Sequence, residues 1–341
     1  MTGVRASVLI PTHDHHATLP FAVRSVLAQE VTDLEVIVIG DGVDTATRAA
    51  ALALVADDDR VRFLDLSKGA HHGEVHRDTA VRAARSEAIL YLCDDDLLLP
   101  GHVGDLLDLL AGADLVQSLN GEVGTTGELR LHPADLADDE TVRWLVHGPR
   151  YNQVSLTGTG HTRAAYLALE TGWETTPAGE WPDHFMWKKF FRVSGFRGAT
   201  STRMTALQFP TSDGDRDIWS ADRRAAEIAP WAAWVSESTA QARVDDLVAV
   251  ASRRELDRLS RQESADAAEL HALRTEIHRL NLQHVATAGD VAELLEHAHE
   301  LDRRRRQLRR RNRRLQRELA LARRSWSRKV ADRVRAVRRH G

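Results

Sequence analysis

Short apolar runs alternate with amphipathic stretches through the first 120 residues of the chain. The β-branched runs at 7–10, 36–39, 61–64 and 88–92 predict four strands, each closed by small, polar or acidic residues. The stretches at 17–29, 45–56 and 75–85 have the periodicity of helices. Strands that alternate with helices are typical of βαβ units, so the pattern predicts an α/β fold with a mostly parallel central sheet.

The pattern is less regular between residues 120 and 240. It predicts two or three further strands, helices near 138–146 and 162–169, and a helix that begins around Pro182. Seven of the eight tryptophans lie between positions 144 and 234. They are core aromatics, stacking surfaces or a packed lid.

A heptad pattern begins near residue 250. Two series of apolar residues share the seam: Leu273, Leu280, Leu294, Leu301, Leu308 and Leu315 in one phase, and Leu270, Ile277, Val291, Ala298 and Leu319 in the other. The pattern predicts a long helical coiled-coil region at 250–322, with a break near 284–290 and with Arg305 and Asn312 as polar seam residues. It therefore predicts a homo-oligomer, most simply a dimer; the alternative is one long solvated helix.

Composition places the chain among ordinary globular proteins, with 341 residues, 43% hydrophobic and 28% charged. The expected domains are 1–240, the coiled coil at 250–322 and a tail at 323–341. The single cysteine cannot form an intramolecular disulfide, and neither a signal peptide nor an apolar run of membrane-spanning length is present. The expected compartment is the cytoplasm.

Charge is distributed unevenly along the chain. Residues 301–341 hold 18 Arg or Lys against three acids, whereas residues 1–300 hold 28 against 47. Trp326, Val330, Val334 and Val337 recur at helical spacing among the arginines of the tail, which predicts a basic amphipathic helix. Such a helix suits an anionic membrane surface at the inner face of the membrane, or a partner protein. Nucleic acid is not favoured, because the body is acidic and no base-reading module is visible.

Acidic residues follow two of the predicted strands. Asp41 ends the second strand, and Asp94, Asp95 and Asp96 follow the fourth. Open α/β sheets bind ligands at the carboxyl ends of their strands. Clustered carboxylates repel one another, and oxygen ligands suit Mg²⁺ or Mn²⁺. The alternatives are a solvated acidic loop that caps the next helix and, for Asp41, an ordinary turn residue.

Further polar residues are expected at the same edge. Pro11 and His13 end the first strand, and the loop 69–77 brings several imidazoles together with Arg77, whose guanidinium suits phosphate. The spacing of the histidines matches no zinc motif, so zinc is not favoured.

Three segments together are specific to one family: 7–12 followed by Ser-Val-Leu-Ala-Gln at 25–29, Val-Ile-Gly-Asp-Gly at 38–42, and Cys-Asp-Asp-Asp at 93–96 with Pro100. In their order and spacing, residues 5–240 resemble a family 2 glycosyltransferase of the GT-A fold. Gly40 stands where the family usually has an acid, and Cys93 where many members have aspartate.

The resemblance implies a role for each candidate residue: Pro11, His13 and Asp41 contact the base of a nucleotide diphosphate sugar, Arg77 the nucleotide or its phosphates, and Asp94 the ribose, while Asp95 and Asp96 hold Mg²⁺ or Mn²⁺. It also implies inversion at the sugar carbon. The expected acceptor is a glycan or, if the tail binds a membrane, a lipid-linked molecule.

Asp183 is the predicted catalytic base. The segment 180–189 resembles the family's acidic motif at the start of a helix, and direct displacement needs a carboxylate to take the proton of the acceptor hydroxyl. The alternative is that Asp183 supports the N-terminus of its helix beside Pro182. A second hypothesis for the whole chain is a non-catalytic coiled-coil interaction protein, which Gly40 and Cys93 favour and the retained aspartates oppose.

Overall fold

A computed structural model describes residues 3–148, 153–283 and 293–314, and the chain divides into two compact units, Met1–Val248 and Ala249–Gly341. The predicted tail at 323–341 and the predicted break near 284–290 lie outside the described residues. None of the helices in the described ranges combines the length and the apolarity that a bilayer crossing requires.

Strands and helices alternate along the first unit. The strands are β1 (Ala6–Thr12), β2 (Leu34–Asp41), β3 (Val61–Leu66), β4 (Ala88–Tyr91), β5 (Leu97–Leu98), β6 (Leu115–Gln117), β7 (Gly121–Val123), β8 (Leu129–Leu131), β9 (Thr159–Thr162), β10 (Gly198–Thr200) and β11 (Ala206–Leu207). The helices are α1 (Leu19–Leu27), α2 (Thr45–Asp57), α3 (Glu74–Ala83), α4 (His102–Leu110), α5 (Asp139–His147), α6 (Arg163–Leu167), α7 (Pro182–Phe191), α8 (Ala221–Val235) and α9 (Ala240–Gln283).

Seven strands form the central sheet in the order β10-β6-β9-β4-β1-β2-β3. Strands β4, β1, β2 and β3 are parallel, as are β10 and β6, and β9 runs antiparallel between β4 and β6. Two small antiparallel pairs, β5 with β11 and β7 with β8, complete the unit. The predicted α/β class with a mostly parallel sheet is confirmed.

Each face of the sheet is covered by its own hydrophobic core. Val8 and Ile10 of β1 pack in one core with residues of α1, α2 and α4, whereas Leu9 packs in the other with residues of α3, α5 and α7. The alternation follows from the two-residue period of a strand. Trp173 and Trp187 are buried in the second core, so these two are core aromatics.

The predicted elements of the first 120 residues match the structure closely, and the later ones match less well. The first four predicted strands correspond to β1–β4, and the later predicted helices to α5, α6 and α7. The range 120–240 holds five strands, β7 to β11, rather than the two or three expected. These strands have two to four residues each, which is too short for a periodic signal. Helices α4 and α8 were not predicted.

In the second unit, residues 293–314 form a helix that runs antiparallel along α9. His297 Nε2 lies 3.1 Å from a carboxylate oxygen of Glu269, and Asn312 Nδ2 donates to Ser260 Oγ at 3.1 Å. Leu270 and Leu301, from the two predicted seam phases, are both buried. The chain's own second helix therefore covers only part of the seam in the described residues, since Leu273, Ile277, Leu294 and Leu308 are half-buried. Oligomerisation stays a prediction.

Candidate active site

The carboxyl ends of β1, β2 and β4 lie side by side because these strands are parallel neighbours. Strand β1 contains Pro11 and ends one residue before His13, β2 ends at Asp41, and Asp94 follows β4 by three residues. His13 Nδ1 lies 2.7 Å from the backbone carbonyl oxygen of Asp41. The predicted residues of these three strands therefore come together at one edge of the sheet, where open α/β folds bind ligands.

Asp41 is buried and holds the loop 67–73 in place. Lys68 Nζ donates to its Oδ2, and the Gly69 N–H donates to its Oδ1 at 2.6 Å. Burial raises the pKa of Asp41, but the hydrogen bonds from Lys68 and Gly69 outweigh it and hold the pKa below its ordinary value. Asp41 thus organises the loop that leads into α3, and its predicted contact with the nucleotide base stays a prediction.

Gly73 of this loop lies against Asp41 with no room for a side chain. Its φ is +63°, and a Cβ at this position would lie 2.3 Å from Asp41 Cγ. We expect Gly73→Ala to lower the free energy of unfolding by about 2–3 kcal/mol, because backbone strain adds to the clash. Gly195, with φ +75° and open space around its Cβ position, is the matched control and should lose only about 1 kcal/mol. Equal losses in urea denaturation would contradict the tight contact with Asp41.

Asp94 and His15 form an ion pair between β4 and β1. His15 Nδ1 lies 2.8 Å from Asp94 Oδ1, and both the hydrogen bond and the charge of Asp94 raise the pKa of His15 from 6.5 to about 9. The imidazolium is therefore the main form at neutral pH. Because the pKa is raised on folding, the pair stabilises the protein fully below pH 6.5, and this contribution is lost as the pH rises through about 9.

Asp95 and Asp96 are both buried but have different partners. Asp95 Oδ2 accepts a hydrogen bond from Arg224 Nη2 of α8 at 2.7 Å. Asp96 accepts two hydrogen bonds, from the Thr157 hydroxyl to Oδ2 and from the Phe209 N–H to Oδ1 at 2.8 Å. Burial, together with the neighbouring carboxylate, raises the pKa of Asp95 and that of Asp96. Asp96 therefore anchors the acidic segment to two other loops.

The three carboxylates of the acidic segment differ in how many oxygens they have left for the predicted divalent cation. Within residues 3–148, 153–283 and 293–314, no group of three or more His, Cys, Asp and Glu side chains is arranged as a complete metal site. Magnesium needs only one or two carboxylates when water and phosphate oxygens complete its shell. One oxygen each of Asp94 and Asp95 accepts a hydrogen bond from the described residues, and the other does not, whereas both oxygens of Asp96 are used. Asp94 and Asp95 thus each keep one oxygen without a partner among the described residues, whereas Asp96 would have to give up a hydrogen bond to bind a cation.

Asp183 lies in the first turn of α7, as predicted, and is held at the same crevice. Its Oδ2 accepts a hydrogen bond from the Leu156 N–H at 3.0 Å, and the next residue, Thr157, is the one that donates to Asp96. Burial raises the pKa of Asp183, and the charge of Arg77 opposes this effect. A partly exposed carboxylate whose pKa is raised is a stronger base than an ordinary aspartate, which suits a general base.

Arg77 of α3 is 93% buried beside an aromatic ring. Its guanidinium carbon lies 4.8 Å from the ring centroid of Trp173, whose indole N–H donates to the hydroxyl of Tyr91 at 2.9 Å. Its Nε and Nη1 have no hydrogen-bond partner among the described residues. A buried guanidinium with unused donors is costly unless an anion pairs with it, so this residue fits the predicted contact with a phosphate or nucleotide.

Sequence reasoning missed three residues that complete the site: His15, Thr157 and Arg224. His15 lies two residues from the predicted His13, and its position at the end of the first strand was an available signal. Thr157 and Arg224 reach the acidic segment from 61 and 129 positions away along the chain, in a region without clear periodicity. Only the tertiary fold brings them to the site.

Two comparisons with known sequences agree with this arrangement. Residues 7–167 match the family model described as glycosyl transferase family 2. A stretch of 104 residues is 31% identical to a protein of Campylobacter jejuni named GalNAc(5)-diNAcBac-PP-undecaprenol beta-1,3-glucosyltransferase. The match covers 30% of this chain and spans 33% of the length of that relative.

Similar solved structures include two of S. aureus TarS 1-349. One has a TM-score of 0.49 at 16% identity and covers 72% of this chain and 70% of that chain. The other, a complex with UDP-GlcNAc, has a TM-score of 0.48 at 16% identity and covers 72% of this chain and 71% of that chain. The family match spans β1 to α6, including the strand ends that carry His13, Asp41 and the three aspartates. Residues 7–167 therefore belong to glycosyl transferase family 2, as the resemblance predicted.

Proposed function

We propose that the chain is an inverting glycosyltransferase that moves a sugar from a nucleotide diphosphate sugar to a hydroxyl group of a lipid-linked saccharide. One observation carries the proposal: Asp183 and Asp96 are bound by two adjacent residues, Leu156 and Thr157. A carboxylate from the second half of the unit therefore lines the same crevice as the acidic segment. Displacement at a sugar carbon needs a base within reach of the acceptor hydroxyl, on the side away from the leaving group, and this is the role proposed for Asp183.

Asp183 would act as the general base. It takes the proton of the acceptor hydroxyl as the oxygen attacks the sugar carbon, and the bond between that carbon and the diphosphate breaks on the opposite side, which inverts the configuration. The hydrogen bond from Leu156 fixes one carboxylate oxygen and leaves the other for the acceptor. The charge of Arg77 favours the ionised form that can accept the proton.

The donor would bind along the ends of β1, β2 and β4. Pro11, His13 and Asp41 would contact the base and Asp94 the ribose, while Arg77, whose Nε and Nη1 have no partner among the described residues, would bind the diphosphate. Asp41 reaches a base only if Lys68 gives up its bond to the carboxylate or shares it. Donor binding should therefore rearrange the loop 67–73.

A divalent cation, Mg²⁺ or Mn²⁺, would be held by Asp95, and by Asp96 only if Asp96 gives up one of its hydrogen bonds, whereas Asp94 is left for the ribose. When bound, it would neutralise charge that develops on the leaving diphosphate. His15 supplies a further positive charge at the same place, since its imidazolium is paired with Asp94.

The nature of the acceptor is supported by the relative in Campylobacter jejuni, whose name states an undecaprenol-linked saccharide. A lipid-linked acceptor requires the enzyme to work at a membrane surface. The predicted tail at 323–341 would supply that contact through arginines on anionic head groups, each contributing about 1 kcal/mol. We expect vesicles with anionic lipid to sediment the full chain, less so in high salt, and not to sediment a chain that lacks residues 320–341. Equal binding to neutral vesicles would contradict this role of the tail.

The predicted homo-oligomer has a direct test. The described second unit is a pair of antiparallel helices, and an isolated helix pair buries little surface, so a second copy would complete a four-helix bundle. Light scattering should give a dimer for the full chain and a monomer for residues 1–248. The same number of subunits for both chains would place the interface elsewhere or reject it.

The activity itself is tested by nucleotide release from a panel of UDP-, GDP- and dTDP-sugars in the presence of Mn²⁺. Release with at least one donor, increased by a lipid-linked saccharide, is the expected result. Donor binding without release under any condition would favour the second candidate, a non-catalytic interaction protein with a degenerate transferase domain. Gly40 and Cys93, which stand where the family usually has acids, support this candidate.

A further inference from the structure

Arg224 connects α8 to the acidic segment. It lies in the first turns of that helix and is 7% exposed. Its Nη2 donates to Asp95 Oδ2 at 2.7 Å and to the backbone carbonyl oxygen of Phe209 at 2.8 Å. A buried cation is thus already paired with the carboxylate that would hold the divalent cation.

The other end of the same guanidinium is held by Glu227. Arg224 Nη1 donates to Glu227 Oε2 at 2.6 Å, and Glu227 also accepts a hydrogen bond from Arg216 Nε at 2.9 Å. Glu227 therefore divides one negative charge between two buried guanidinium groups. Asp95 accepts a hydrogen bond from Arg224 alone among the described residues, so no second guanidinium competes with Arg224 for its charge.

We propose that Arg224 and the divalent cation are alternative partners of Asp95: Arg224 holds the carboxylate while no cation is bound and releases it when a cation binds. The proposal rests on the proposed cation site. One buried carboxylate carries a single negative charge, and a guanidinium and a divalent ion beside it would repel each other strongly where little water screens them.

The exchange leaves Arg224 with partners. After releasing Asp95 it keeps Glu227 at Nη1 and the carbonyl oxygen of Phe209 at Nη2, so each terminal nitrogen retains one acceptor and a single N–H loses its partner. Because Arg224 lies in α8, cation binding would also loosen the start of this helix. Arg224 is thus a positioning residue, which keeps Asp95 oriented and restrains α8 until the cation arrives.

The experiment titrates Mn²⁺ alone into the full chain by calorimetry. Arg224→Gln removes the competing charge and should bind Mn²⁺ about tenfold more tightly than the parent. Arg223→Gln is the matched control, because Arg223 is the preceding residue but lies on the ring of Trp219, 3.6 Å from its centroid. The control should bind Mn²⁺ within about twofold of the parent.

Each outcome decides the matter. Equal or weaker Mn²⁺ binding by Arg224→Gln overturns the exchange while the cation site stands, and no Mn²⁺ binding by any of the three proteins overturns both. If Arg224→Gln does not fold, hydrogen exchange measured on the parent protein tests the proposal instead. Backbone amides of residues 221–228 should exchange faster with saturating Mn²⁺ than without it, and unchanged exchange overturns the proposal.

Discussion

Asp183→Asn will lower sugar transfer by about 10²–10⁴-fold and leave donor affinity unchanged, because the amide cannot accept the proton of the acceptor hydroxyl. Asparagine is nearly isosteric and keeps a carbonyl oxygen that can accept the hydrogen bond from Leu156. The loop at Leu156 and Thr157 should therefore stay in place. Nucleotide release and calorimetric titration with the donor measure the two quantities separately.

A helix cap is the matched control for this substitution. Asp138 caps α5, where its side chain accepts hydrogen bonds from the backbone of Glu140 and Thr141. Asp138→Asn should cost at most about 1 kcal/mol of stability and leave transfer unchanged. If Asp183→Asn instead weakens donor binding as much as transfer, Asp183 is a structural support of α7.

The pH dependence of transfer provides an independent check on Asp183. Burial raises the pKa of this carboxyl, so transfer should rise with pH as the carboxyl loses its proton, with a midpoint above the ordinary aspartate range. In Asp183→Asn this acidic limb should be absent from the residual activity. A limb that remains at the same pH in the variant would assign it to another group.

The sequence predicts those site residues that lie at or just after the ends of parallel strands. His13, Asp41 and the three aspartates come directly after apolar runs, and parallel pairing places all such ends at one edge. The part that it does not predict depends on short strands and distant loops. Strand β9 pairs antiparallel with both β4 and β6 through only four residues, yet it places the preceding loop with Thr157 against the acidic segment.

The dependence on distant loops also explains why the sequence does not distinguish the roles of Asp95 and Asp96. Along the chain they are adjacent and chemically identical, so a sequence pattern cannot separate a ligand from an anchor. The structure separates them through Arg224 and the Phe209 N–H, which approach from the far end of the unit. The partners and the pKa of a buried carboxylate are set by tertiary contacts rather than by local sequence.

Asp95→Asn will remove the Mn²⁺-dependent part of donor binding, because Asp95 can offer a carboxylate oxygen to a divalent cation and asparagine carries no charge to balance it. Calorimetry with the donor, with and without Mn²⁺, measures the effect. The parent should bind the donor more tightly with Mn²⁺ by about tenfold or more, and the variant should bind it equally in both conditions.

Asp96→Asn is the opposite case and provides the control for that result. Both oxygens of Asp96 accept hydrogen bonds, from Thr157 and from the backbone of Phe209, so an amide group there turns one acceptor into a donor. We expect a loss of about 1–3 kcal/mol in the free energy of unfolding, with the Mn²⁺ dependence retained in the folded protein. If Asp96→Asn loses the Mn²⁺ dependence and Asp95→Asn keeps it, the two roles are reversed. Donor affinity that ignores Mn²⁺ in the parent as well would reject the cation site altogether.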